Sequence, residues 1–119
     1  MDGLYDRLIE LCERLSAGTQ TGQVAWAAEE ATSFSWSGSS GAVNVRSLDE
    51  DGEEPFELAV FAAGGQKVES LISEWAEDES PAPWNDALGR AYRAARRQAL
   101  GVDKILDDLF AELPTVRPR

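Results

Sequence analysis

Leu4, Leu8, Leu11 and Leu15 recur at spacings of four, three and four, so they share one face of a helix. Tyr5, Ile9 and Cys12 widen that stripe, and Asp6, Arg7, Glu10, Glu13 and Arg14 fill the opposite side. The pattern predicts an amphipathic helix over about residues 3–17, with Gly18 as its C-cap. Further on the period becomes two. Phe34 and Trp36 alternate with Ser33, Ser35 and Ser37, and Val43 and Val45 alternate with Asn44 and Arg46. Phe56, Leu58 and Val60 form a third inward set, while Ala59 and Phe61 suggest partial cover on the other face. Gly38–Gly41 and Asp49–Gly52 have the composition of short turns, so the strands are expected to form an antiparallel meander. Thr21–Trp26 fits either an additional strand or an ordered lead-in, which makes three or four strands in all.

Gly64-Gly65 closes the meander. Val68, Leu71, Ile72 and Trp75 then fall at i, i+3, i+4 and i+7, a spacing that predicts a helix over about 66–76. Residues 76–83 form an acidic, proline-bearing connection, so the next helix should start after Pro83. From there Leu88, Tyr92, Ala95, Ala99, Val102, Leu106, Leu109 and Leu113 trace one apolar stripe. Gly101 interrupts it, marking a kink or a break into two helices. The fold class expected is α+β. Helices at about 66–76 and 84–113 pack with the first helix against one sheet, within a single domain spanning 1–113. Residues 114–119, with two prolines and two arginines, should form a flexible tail.

Composition narrows the chemistry. The 119 residues carry 22 acids against 11 bases, a net charge of −11 that disfavours direct contact with nucleic acid or an anionic membrane. Cys12 is the single cysteine, so no intrachain disulfide can form, and a cytoplasmic location is expected. There is no histidine, which rules out Ser-His-Asp triads and His-bearing zinc sites. Cys12 lies within the apolar stripe of the first helix and reads as a core residue rather than a nucleophile. Asp49–Glu54 contains an Asp-x-Asp-Gly spacing, but Pro55 and a strand pattern follow where a calcium loop would need more ligands. No catalytic residue, cofactor or metal ligand is expected. Catalysis by paired carboxylates alone is the one enzymatic route left, and nothing in the sequence marks a cleft for it.

Candidate contacts with a partner protein lie in three places. Arg90, Arg93 and Arg97 fall on the helix back opposite the Leu88–Leu109 stripe, with Arg96 at its flank. Trp75 and Trp84 border the acidic connection, Trp84 being the better candidate for an exposed anchor. Asp49, Asp51 and Glu53 sit at a hairpin tip suited to a basic partner.

Thr21-Gly22-Gln23-Val24-Ala25-Trp26 after a leading helix, then a meander, then Ala99-Leu100-Gly101-Val102-Asp103-Lys104-Ile105-Leu106-Asp107-Asp108-Leu109, resembles small uncharacterised bacterial proteins of actinobacterial type. The resemblance covers most of the chain, rests on hydrophobic patterning, and carries over no catalytic residue. It implies an α+β domain that acts through protein contacts, in some cases in defence or toxin-related settings. Two functions are therefore expected to compete. One is an interaction or regulatory module that binds another protein or pairs with itself as a homodimer. The other is an acidic inhibitor of a basic enzyme, in the manner of an immunity protein, antitoxin or nucleic-acid mimic.

Overall fold

The computed structural model describes residues 3–116. Helix α1 spans Leu4–Gln20, a five-stranded meander follows, and two helices, α2 (Asn85–Ala99) and α3 (Val102–Glu112), complete the chain. The strands are β1 (Ala27–Glu30), β2 (Ser33–Ser37), β3 (Gly41–Ser47), β4 (Phe56–Ala62) and β5 (Lys67–Ile72). They pair antiparallel in sequence order, β1-β2-β3-β4-β5. Turns of two to four residues join β1 to β2, β2 to β3 and β4 to β5, and the eight residues 48–55 join β3 to β4, all local connections of the kind that pair consecutive strands.

The register sorts the side chains. Phe34 lies opposite Val45, and Val45 opposite Leu58, which in turn faces Leu71 across the next ladder. Because side chains alternate along a strand, this row lies on one face of the sheet. Helix α2 packs on that face and α1 packs beside α2. The resulting core joins Leu8, Cys12 and Leu15 of α1 to Leu88, Ala91, Tyr92 and Ala95 of α2 over the apolar row. Tyr92 is the centrepiece, stacked on Phe56 at 4.2 Å between ring centroids and tilted against Phe34 at 5.7 Å. Aromatic pairs at these separations add to the burial of their surface.

The other face of the sheet is polar. Asn44 Nδ2 donates there to Ser33 Oγ at 3.0 Å and to Ser35 Oγ at 2.9 Å. The Glu57 carboxylate accepts from Arg46 Nε at 2.8 Å and from Lys67 Nζ at 3.1 Å. Burial alone would raise the Glu57 carboxyl, but the two hydrogen bonds and the charges of Lys67 and Arg46 outweigh it and hold it below its ordinary value.

Four sequence expectations are corrected, and two open alternatives are resolved. The segment 66–76 contains β5 rather than a helix, because β4 would otherwise leave its backbone edge unpaired and the Gly64-Gly65 turn returns the chain directly beside it. The sheet thus has five strands, not three or four, and the extra N-terminal one is Ala27–Glu30. Thr21–Trp26 is an ordered lead-in: Val24 and Trp26 are buried, and Trp26 Nε1 donates to Thr19 Oγ1 at 2.8 Å. Gly18 lies inside α1, which ends at Gln20 with Thr21 as its C-cap. Its small size serves packing, since a Cβ there would sit 2.7 Å from Val24 Cγ2. Finally, the C-terminal stripe breaks into two helices at Gly101, one of the two outcomes expected there, and the second does not pack against the sheet as expected. Gly101 takes a left-handed φ of 63°, α2 lies on the sheet and α3 does not. The proposed tail falls partly outside the described residues, at Arg117–Arg119.

Candidate partner-binding surface

Three of the four arginines of α2 come together. Arg90, Arg93 and Arg97 line an open groove of about 480 Å³ between α2 and the C-terminal turns of α1, where Ser16, Thr19 and Gln20 form the far wall. They share it because positions three and four apart lie on one side of a helix. Arg90 pairs with Asp86 at 3.4 Å on its own helix, while the Arg93 guanidinium sits 5.8 Å over the Phe56 ring. Arg97 grips Asp103 with Nη2 at 2.6 Å and Nε at 3.0 Å, a two-pronged contact across Gly101. The Asp103 contact raises the Arg97 guanidinium above its ordinary value. Arg96 does not line the groove and has no ion pair among the described residues.

The two tryptophans differ from expectation. Trp84 is half-buried: it stacks on Tyr5 at 4.6 Å and donates Nε1 to the Ile72 carbonyl at 2.7 Å. Trp75 is the exposed one, 47% accessible and paired through an isolated bridge to Pro81. Asn85 fastens this region to the start of α2, with Oδ1 accepting from Glu74 N and Nδ2 donating to Glu74 O at 2.8 Å.

The acidic segments lie at one end of the sheet. Ser47 opposes Phe56 across the hairpin that carries Asp49, Asp51 and Glu53, and Ser73 N donates to Phe56 O just before the acidic connection. Asp49 and Glu53 are exposed, but Asp51 is occupied locally: its Oδ1 accepts from Glu53 N at 2.9 Å and from Ser47 Oγ at 3.1 Å. Those hydrogen bonds, the backbone one foremost, hold the Asp51 carboxyl below its ordinary value. Asp78 is lowered in the same way by the hydroxyl and backbone N–H of Ser80.

The surface that sequence reasoning misses is α3. Ile105, Leu106, Leu109, Phe110 and Leu113 are 55, 39, 45, 66 and 60% exposed, and no residue of α3 is buried. Its main neighbouring element is α2. The periodic stripe places Leu106, Leu109 and Leu113 in the core, and the structure does not. A signal against core placement is present in the sequence: Gly101 restarts the helix, and Ile105 and Phe110 widen the stripe beyond what one neighbouring helix covers. The molecule is correspondingly extended, with a radius of gyration of 16.4 Å against about 13.5 Å for a compact chain of this length.

The remaining chemistry is sparse. Cys12 is fully buried, and burial, with a smaller contribution from Glu13, pushes its thiol up to about 12. Among the described residues no group of three or more cysteine or carboxylate side chains is placed to hold a metal ion. No helix among the described residues is long and apolar enough to cross a membrane. No protein-family model, curated protein or solved structure matches the chain.

Proposed function

We propose that this chain is a non-enzymatic cytoplasmic module that works by binding another protein, and that α3 is the element it offers. The observation that carries the reading is the unburied apolar stripe of α3. An isolated exposed leucine needs no explanation, but a contiguous row along an ordered helix commonly marks a contact surface. Arg97 pairs with Asp103 across Gly101, linking the start of that helix to α2. The arginine groove lies beside the same junction and extends the surface available to a partner.

The test uses the paired substitution Leu109→Glu with Phe110→Glu. Both side chains are exposed, so far-UV circular dichroism and thermal midpoint should stay unchanged while binding is lost. Wild-type and doubly substituted chains are immobilised and exposed to lysate of the native host, and retained proteins are quantified; sedimentation of each chain is measured in parallel. A protein retained by the wild type and lost on substitution is the expected result, as is a wild-type dimer that the substitution dissolves. If both chains retain the same proteins and the wild type sediments as a monomer, the proposal is overturned.

A second reading, an acidic inhibitor of a basic enzyme, draws on the two acidic segments leaving the sheet at one end. It predicts binding that weakens steeply with salt and is lost on neutralising Asp49 and Glu53. Binding that is indifferent to those two residues overturns it.

A further inference from the structure

We propose that the occupant of the α3 stripe is another protein whose apolar docking surface is bordered on both sides by lysines or arginines. The inference rests on the reading of α3 as a contact surface and adds the chemistry of what covers it. On a helix turning about 100° per residue, Leu106, Leu109, Phe110 and Leu113 fall at i, i+3, i+4 and i+7, the spacing by which an amphipathic helix anchors in a groove. With Ile105 widening the stripe, Asp103 and Asp107 follow one border and Glu112 and Asp108 the other. Arg97 already holds Asp103 and Lys104 holds Asp108, so Asp107 and Glu112, one on each border, are the acids without an ion pair among the described residues. Lys104, the single cation of the helix, lies on the back, where Asp108 pairs with it at 2.8 Å.

Acidic borders discriminate among occupants. A second copy joined stripe to stripe would set acids against acids whether the helices ran parallel or antiparallel, because both borders have the same sign. An anionic membrane meets the same repulsion. The chain's own arginine groove has charges of the right sign, but Ala94 is the only apolar side chain in its lining among the described residues and cannot cover leucines and a phenylalanine. A surface that is apolar in the middle and basic at the rim satisfies both parts of α3 at once, with the rim charges setting orientation and partner choice.

The probe is a fluorescent synthetic helical peptide with leucines at i, i+3, i+4 and i+7 and lysines on both borders, titrated by anisotropy against the full chain. A matched peptide carries glutamates in place of the lysines. The lysine peptide should bind, the glutamate peptide should not, and Leu109→Ala with Phe110→Ala should weaken binding by about tenfold or more. Asp107→Asn with Glu112→Gln should weaken it several-fold and flatten its salt dependence, whereas Glu29→Gln with Glu30→Gln, on the exposed strand β1, should leave it unchanged. Circular dichroism of each substituted chain checks that α3 remains helical, and Asp107→Asn with Glu112→Gln provides a test that does not alter the apolar stripe.

Equal loss on substituting the β1 acids Glu29 and Glu30 would mean diffuse attraction to an acidic protein and would overturn the proposal. So would equal binding of both peptides, or binding of neither. A wild-type dimer that Leu109→Ala with Phe110→Ala converts to monomer would identify a second copy as the occupant. That outcome overturns the basic-partner inference while leaving the protein-binding function of α3 standing.

Discussion

Tyr92 concentrates the physics of the core in one side chain. Its ring is fully buried between Phe34 and Phe56, yet its hydroxyl has no hydrogen-bond partner among the described residues. Burial pushes the phenol up from its ordinary value, with Arg96 opposing and Asp51 and Glu53 adding to the shift, so it stays neutral throughout the range where the protein is handled. A buried hydroxyl without a partner costs its desolvation and returns nothing, while the ring contacts would survive its removal. Tyr92→Phe is therefore expected to be more stable than wild type by about 1 kcal/mol in urea unfolding, with an unchanged m-value. A loss of stability would mean that the hydroxyl is satisfied. At this scale the sequence is legible for size and polarity: Cys12, Leu15 and Leu88 are buried where the helical stripes put them. It is silent on partners distant along the chain. Trp84 is tied down by Tyr5 and by the Ile72 carbonyl, contacts that no local pattern encodes, and so Trp75 is the exposed tryptophan of the pair.

Elements are readable in proportion to the length of their periodic run. Helix α1 and strands β2 to β4 each carry several alternations or turns, and the structure has them. β5 carries apolar positions whose spacing suits a helix on paper, and the open edge of β4 decides the matter in favour of a strand. Strand β1 has no apolar alternation at all: Ala27, Ala28, Glu29 and Glu30 are exposed, and pairing with β2 alone defines it. Pairing also creates the ion cluster of the polar face. Glu57, Arg46 and Lys67 stand on three neighbouring strands, which brings two cations to one carboxylate. Since the folded-state value of Glu57 lies below its ordinary 4.5, its contribution is present above that pH and is lost as pH falls through the folded value. Arg46 and Lys67 are half exposed, which tempers the attraction. Glu57→Gln should thus cost about 1–2 kcal/mol at neutral pH, and the gap to wild type should close in acid below that range. Denaturant titrations at neutral pH and in acid below the folded value check both the sign and the closure; a gap that widens in acid contradicts the assignment.

At the scale of the whole molecule, the buried core and the exposed apolar stripe are housed in different parts. Among the described residues, α1, the sheet, the lead-in to it and α2 contain every buried residue of the core, whereas α3 buries none and meets chiefly α2. The C-terminal stripe is legible as a single apolar line, but a line of sequence does not tell whether its far end reaches the sheet. Gly101, with its left-handed backbone, redirects the chain after Leu100, and from that point the same leucine spacing faces solvent. Ending the chain after Leu100 should accordingly leave a folded body. It would forfeit the Arg97–Asp103 pair, which is exposed and therefore contributes little, and keep Ala99 and Leu100 against the core. The truncated chain is expected to unfold cooperatively, with a midpoint close to that of the full chain and a slow amide-exchange core in β2–β4 and α2. It should lose binding of the lysine peptide altogether. Retained binding would move the contact surface from α3 to the body, and a collapse of stability would mean that α3 supports the fold it projects from.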